Sequence, residues 1–320
     1  MQTILGACIS GITSPREISV RRHVHLDDGD CLLLIDDLPV SDWQNGNDVA
    51  ILVHGLGGSS ESPYVRRIAA KLRSEGMRTF RLNLRGCGEG KGLARNLYHA
   101  GRTEDLQGAI EEIQRLCPGS TIHLGGFSLG GNIVLKWLGE RPEEAAQLVH
   151  RAIAVNPPVR LADCTDAIGK KIFGFYDRYF AKMLYRQLQQ SFDGKLDQSQ
   201  FPPPRRIIEF DETITAPRTG FDSAQHYYET CSAAPVIYDI LVPTMILSAA
   251  DDPLIPARIL QELDLPDSIH LHVAESGGHL GYYSRGAVDP DRWWMDWRVL
   301  DWFKSKETSS EPCALEAEVV

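Results

Sequence analysis

The sequence lacks paired cysteines. Its seven, Cys8, Cys31, Cys87, Cys117, Cys164, Cys231 and Cys313, are odd in number and form no C-x-x-C spacing, which excludes a disulfide framework, a zinc ribbon and a thioredoxin-like redox motif. Positive charge is also short. Lys+Arg 33 against Asp+Glu 43 gives −10, so the chain has no electrostatic footprint for nucleic acid. No apolar run approaches the roughly 20 residues of a membrane span; the densest, Val49–Val53, is strand-sized. The first residues show no basic-then-apolar leader pattern. A cytoplasmic location is the expectation from these absences. His23 and His25 share one strand face and His270 and His272 another, with no third ligand at useful spacing, so neither metal nor cofactor is expected. Repeats are absent. The one biased segment is residues 307–320, with four Glu and no Lys or Arg, a composition expected to leave it a disordered tail.

What is present is ordinary globular composition: 43% hydrophobic and 24% charged residues in 320. That length suits one large domain, or one domain carrying an insertion. Ile18 to Leu26, the turn Asp27-Asp28-Gly29-Asp30, and Cys31 to Ile35 read as a β-hairpin. Strands and helices then alternate. Strands are expected at Val49–Val53, Met77–Leu84, Thr121–Leu124 and Arg151–Val155, and helices at Tyr64–Leu72, Thr103–Leu116 (with Thr103 as N-cap) and Leu129–Leu138. After Pro157-Pro158 about eighty residues of helix and irregular loop intervene. Strands resume at Thr244–Ser248 and Ile269–Ala274, and an aromatic helix, Trp293–Phe303, follows. This order predicts an α/β fold, a mostly parallel sheet with right-handed crossovers and helices on both faces. Residues 1–158 and 236–306 would form a discontinuous core, and residues 159–235 a helical cap inserted into one loop.

The sharpest motif is Gly126-Phe127-Ser128-Leu129-Gly130, directly after a strand and before a helix. A G-x-S-x-G turn in that context strains its central residue, needs small neighbours, and lifts the serine hydroxyl above the sheet edge. A serine hydroxyl needs a base to take its proton. In this topology an acid and a histidine follow, each beyond a late strand. The chain supplies both, Asp251-Asp252-Pro253 after one strand and His279 after the next. Asp252, beside the proline, is preferred over Asp251 as the acid. An oxyanion hole needs two backbone N–H groups; Leu129, after the serine, and Leu56, in the loop His54–Gly58, are the candidates. His54 is expected to hold that loop by hydrogen bonds.

The stretches His54–Tyr64, Tyr98–Gly101, Gly126–Asn132 and Asp251–Pro253 resemble the YheT-like branch of the α/β-hydrolase superfamily. Glu209–Thr213 and Gly220–Tyr228 resemble that branch's insertion, and the likeness runs from about Asp48 to Phe303. The branch includes bacterial hydrolases, mammalian lipid hydrolases and yeast enzymes that make or cleave medium-chain ethyl esters. The resemblance implies the triad Ser128, Asp252 and His279. Serine at the elbow excludes the carboxylate nucleophile of dehalogenases and epoxide hydrolases, and the cysteine of dienelactone-type hydrolases. A serine hydrolase acting on short- to medium-chain or lipid-like acyl esters through an acyl-enzyme is therefore expected. The alternatives are an acyltransferase or thioesterase on the same triad, or a non-catalytic binding protein on this scaffold. The expected partner is a small-molecule acyl ester. In the insertion, Ile172, Phe173, Tyr176, Tyr179, Phe180, Met183 and Leu184 recur at helical spacing and predict one broad aromatic face. Tyr176 and Phe180 are the expected acyl-pocket positions, and Arg178, Lys182 and Arg186 could meet a membrane surface.

Overall fold

The computed structural model describes residues 19–39, 42–191, 197, 199, 201–284 and 289–305. Eight strands form one sheet: β1 (Ser19–His25), β2 (Cys31–Asp37), β3 (Val49–Val53), β4 (Arg78–Asn83), β5 (Ile122–Phe127), β6 (Val149–Val155), β7 (Thr244–Ala249) and β8 (Ile269–Ala274). Their spatial order is β1-β2-β4-β3-β5-β6-β7-β8. The hairpin strands β1 and β2 are antiparallel, β2 pairs antiparallel with β4, and every later pairing is parallel.

The helices are α1 (Pro63–Ser74), α2 (Thr103–Leu116), α3 (Leu129–Glu140), α4 (Leu161–Lys170), α5 (Phe175–Ser191), α6 (Ala224–Cys231) and α7 (Trp294–Lys304), with shorter turns between them. The pleat of β3 explains how they sort. All five of its residues are buried, and successive side chains point to opposite faces. Ala50 and Leu52 join a core with Ile68 and Leu72 of α1 and Trp294 and Phe303 of α7. Val49, Ile51 and Val53 join one with Ile110 of α2 and Val134 and Trp137 of α3. A strand apolar at every position therefore carries a helical layer on each face. Charge also ties the first layer together: Arg67 and Lys71 of α1 both reach buried Asp296 of α7, at 2.9 and 3.0 Å.

Two local expectations need correction. Thr103 is the first helical residue and caps nothing; Arg102 stands at the cap, and the Thr103 hydroxyl donates to Glu140 Oε2 at 2.7 Å. The strand expected to stop at Leu124 runs on through Gly125, Gly126 and Phe127. Glycine weakens a strand, but here the backbone of α3 packs so close that a Cβ on Gly126 would collide with Gly130.

Between β6 and β7 lie α4, α5, a helical run over Ile207–Thr219 containing a π-helical turn at Asp211–Thr215, and α6. The expected single aromatic face of α5 is divided. Leu184, Tyr185 and Leu188 are buried and Tyr176 and Phe180 partly so, while Phe175 and Tyr179 face solvent. The tail at 307–320 lies outside the described residues. No helix among the described residues is long and apolar enough to cross a membrane.

Candidate active site

Leu56, Ser128, Asp252 and His279 each stand past the C-terminal end of a parallel strand, where open α/β sheets bind ligands. Sheet order fixes their neighbours. The loop after β3 lies beside the end of β5, and the ends of β6, β7 and β8 follow on the other side. Ser128 sits between β5 and α3 with φ +51 and ψ −120, a conformation costly for a residue with a side chain. Its N–H donates to Val155 O at 2.8 Å, and its carbonyl accepts from Gly131 N at 2.8 Å. The glycines of the motif are required by contact. A Cβ on Gly130 would run into the Val53 and His54 carbonyls.

His279 Nε2 lies 2.9 Å from Ser128 Oγ, and His279 Nδ1 lies 2.9 Å from Asp252 Oδ2. The Asp252 carboxylate is buried, and its Oδ1 accepts the Leu254 and Ile255 amides at 2.7 and 3.1 Å. Those two bonds explain the acid's place before Pro253: the carboxylate closes its own turn and is aimed by it. Asp251 points elsewhere. Its Oδ1 accepts the amides of Gly277 and Gly278 at 2.8 and 2.7 Å, holding the loop that carries His279.

Two residues at this site escaped the sequence reading. Asn156, just after β6, is buried at φ +47. Its Nδ2 donates to Asp252 Oδ2 at 2.6 Å, the same oxygen that faces His279. Its Oδ1 accepts the Tyr282 hydroxyl at 2.9 Å. Tyr282 is fully buried at φ +38, and burial holds its phenol neutral well above the usual tyrosine range. The only sequence signal was an asparagine ending an apolar strand, since asparagine tolerates left-handed backbone better than most residues.

The loop after β3 is fastened on three sides. Gly55 N donates to the Tyr64 hydroxyl at 3.0 Å and Gly57 N to the Tyr98 hydroxyl at 3.1 Å. Buried His54 accepts Leu84 N–H on Nε2, so Nδ1 carries the proton and donates to Gly55 O at 2.8 Å. Burial pushes its pKa down to about 4. His54 is thus a neutral brace. Among the described residues, no hydrogen bond engages the N–H of Leu56 or of Leu129, and both residues line the cavity that holds Ser128 and His279. Asn132 of α3 secures the next layer, donating to the Ala100 and Cys231 carbonyls at 3.0 and 2.9 Å and accepting Ala233 N at 3.0 Å.

The cavity over Ser128 is walled largely by apolar residues, among them Leu161, Ile168, Leu184 and Ile255. Phe180 belongs to that wall. Tyr176 does not; it packs against the main core, and Leu184, on the next turn of α5, lines the cavity instead. Asp211 is the carboxylate in that wall. It is buried on the π-helical turn and accepts the Thr215 and Tyr228 hydroxyls, both at 2.7 Å. Burial raises its carboxyl pKa to about 6. Glu212 accepts the Ala224 amide at the start of α6 at 2.7 Å.

A strained serine between strand and helix, on a mostly parallel sheet with its loops gathered at one end, defines an α/β-type hydrolase scaffold. The family model described as alpha/beta hydrolase fold matches residues 49–285, and the chain belongs to that family. It is 30% identical over 258 residues to YheT of Escherichia coli (strain K12), covering 79% of this chain and 75% of that protein. It is 25% identical over 335 residues to Monoacylglycerol lipase ABHD2 of Danio rerio, covering 98% of this chain and 77% of that one. The solved structure of the Pyrococcus furiosus esterase Pf2001 is similar in fold, with a TM-score of 0.58 at 16% identity, covering 92% of this chain and 97% of that one.

Proposed function

We propose that the protein is a serine hydrolase that cleaves carboxylic esters, short- to medium-chain or lipid-like, through an acyl-enzyme. The observation that carries this reading is the hydrogen-bonded series Ser128–His279–Asp252 beneath an apolar cavity. His279 Nε2 takes the Ser128 proton as Oγ attacks the ester carbonyl, and Asp252 holds the imidazole in the productive tautomer and stabilises it once charged. The N–H groups of Leu56 and Leu129 receive the developing oxyanion, a contribution typically worth about 2.7–4 kcal/mol of barrier per donor. His279 then returns the proton to the departing alcohol, and water repeats the sequence in reverse to free the acid. Residues 159–235 act as a cap over the core of 1–158 and 236–306, and Phe180 with Leu184 receives the acyl chain. A relative named for monoacylglycerol hydrolysis supports an ester bearing an apolar chain.

The test is a fluorophosphonate probe with a graded series of p-nitrophenyl esters. Wild type should be labelled and active, and Ser128→Ala neither. Equal labelling of the two would overturn the assignment of the nucleophile. Product analysis with an added alcohol separates hydrolysis from acyl transfer.

A further inference from the structure

The described residues expose seven large hydrophobic side chains, and three are aromatics crowded into seven positions: Phe173 at 95%, Phe175 at 56% and Tyr179 at 57%. Isolated exposed apolar residues need no explanation, but a contiguous aromatic patch does. Phe173 is held out in an unfavourable backbone state. It sits at φ +51 in the turn before α5, followed by Gly174 at φ +70, and Arg178 Nη1 donates to its carbonyl at 2.8 Å. A non-glycine residue pays strain for that conformation, and no packing of the ring offsets it.

The surroundings are cationic although the chain carries −10. Lys170, Lys171, Arg178 and Lys182 are all exposed around the aromatics. The single acid between them, Asp177, is buried and paired with Arg206 at 3.1 Å; Asp166, on the preceding turn, pairs with Lys170. Aromatic side chains ringed by Lys and Arg are the composition of a surface that lies in a lipid interface. The patch also adjoins the cavity. The Tyr179 ring packs edge-on against Phe180, centroids 5.5 Å apart, and Phe180 walls the space above Ser128.

We propose that the Lys171–Lys182 surface docks on an anionic lipid bilayer, with Phe173, Phe175 and Tyr179 inserted at the headgroup level and Lys171, Arg178 and Lys182 against acidic headgroups. The three rings expose on the order of 400 Å², about half of the roughly 800 Å² that each partner buries in a stable protein interface. A second copy of this chain would also bring Lys171, Arg178 and Lys182 face to face with themselves. A bilayer meets neither objection. Docking stands independently of the ester chemistry. That the docked cavity draws its acyl substrate from the lipid does rest on the proposed hydrolase activity.

The experiment is flotation of the full chain with phosphatidylcholine vesicles, with and without about one phosphatidylglycerol in four lipids. Wild type should float with the anionic vesicles, less with neutral ones, and less again at about 0.5 M salt. The variant Phe173→Ser/Phe175→Ser/Tyr179→Ser alters exposed positions only. It should keep the wild-type melting curve and kcat/KM on a water-soluble p-nitrophenyl ester, yet bind anionic vesicles roughly tenfold or more weakly. On a long-chain ester carried in those vesicles its rate should fall with binding. Absence of wild-type binding, or equal binding by the variant, would overturn the proposal, as would a wild-type dimer in sedimentation velocity that the variant dissolves. Vesicle binding without cleavage of any ester would overturn the hydrolase reading and leave the docking surface standing.

Discussion

Asp251 and Asp252 are adjacent in the chain and hold the same histidine loop from two directions. Asp251 grips its backbone at the Gly277 and Gly278 amides, and Asp252 meets its side chain at His279 Nδ1. One acid fixes where the loop lies; the other fixes how the imidazole is turned. Two carboxylates that look interchangeable in sequence therefore have separable consequences.

Asp252→Asn should cut kcat on a p-nitrophenyl ester by about 10⁴-fold, because the wrong imidazole tautomer is then favoured. Asp251→Asn retains an acceptor oxygen for the two amides and should change kcat little. Asp251→Ala should cost stability and a modest part of the rate. Equal effects of the two Asn variants in steady-state assays would refute the division of roles.

Tyr282→Phe removes the donor to Asn156 Oδ1 and leaves a buried acceptor unsatisfied, at a cost of about 1–3 kcal/mol. A lower melting temperature is expected, with a drop in kcat larger than any change in KM, since Asn156 aims Asp252. Unchanged kcat in a destabilised variant would make the Tyr282–Asn156 pair a purely structural bond.

Asp211 predicts a pH dependence. Burial raises its carboxyl from 3.8 to about 6, so between those values the folded chain holds a proton that the unfolded chain has lost. Stability from this group accordingly falls as pH rises through that window, by about 3 kcal/mol once the carboxylate is fully charged. Tyr98, Tyr227 and Tyr228, which face it, have raised pKa values and stay neutral throughout. Asp211→Asn lacks the penalty. Its melting temperature relative to wild type should climb from pH 4 to pH 7; a constant difference across the series would contradict the shift.

Phe180→Ala should move the chain-length optimum of kcat/KM towards longer esters, each added buried methylene contributing about 0.8 kcal/mol. Tyr176→Ala should lower the melting temperature without moving the optimum, because Tyr176 packs on the core. A shift caused by Tyr176→Ala in a folded protein would extend the acyl pocket along α5.

The element order was legible because a two-sided sheet writes itself as apolar runs alternating with amphipathic helices. The α/β-hydrolase fold and the resemblance to the YheT-like branch both stand on that order and on local motifs. Ser128, Asp252 and His279 were nameable because each follows a strand, and the fold brings them within hydrogen-bond distance. What sequence concealed was long-range. Asn156 and Tyr282 lie 126 positions apart, and nothing local marks Asn156 as a partner of Asp252 or Tyr282 as a partner of Asn156. The extension of β5 through Gly125 and Gly126 was hidden because propensity penalises glycine where close packing demands it. The division of α5 into buried and exposed aromatics was hidden for a related reason. Spacing shows which residues share a face, but only the neighbouring elements determine how much of that face they cover.

Gly57, in the loop that carries Leu56, adopts φ +68, and the space its missing side chain would fill is taken by the Met183 thioether of α5. Positions 57 and 183 are consequently coupled by steric fit. A side chain at 57 would be strained on its own account and would also have to displace the methionine, so the tighter constraint falls on 57. The flexible, unbranched side chain of Met183 closes that gap, and Met183→Ala would leave unfilled space beside Gly57. A smaller side chain at 183 is therefore expected to lower the melting temperature through the space it leaves beside the loop that carries Leu56.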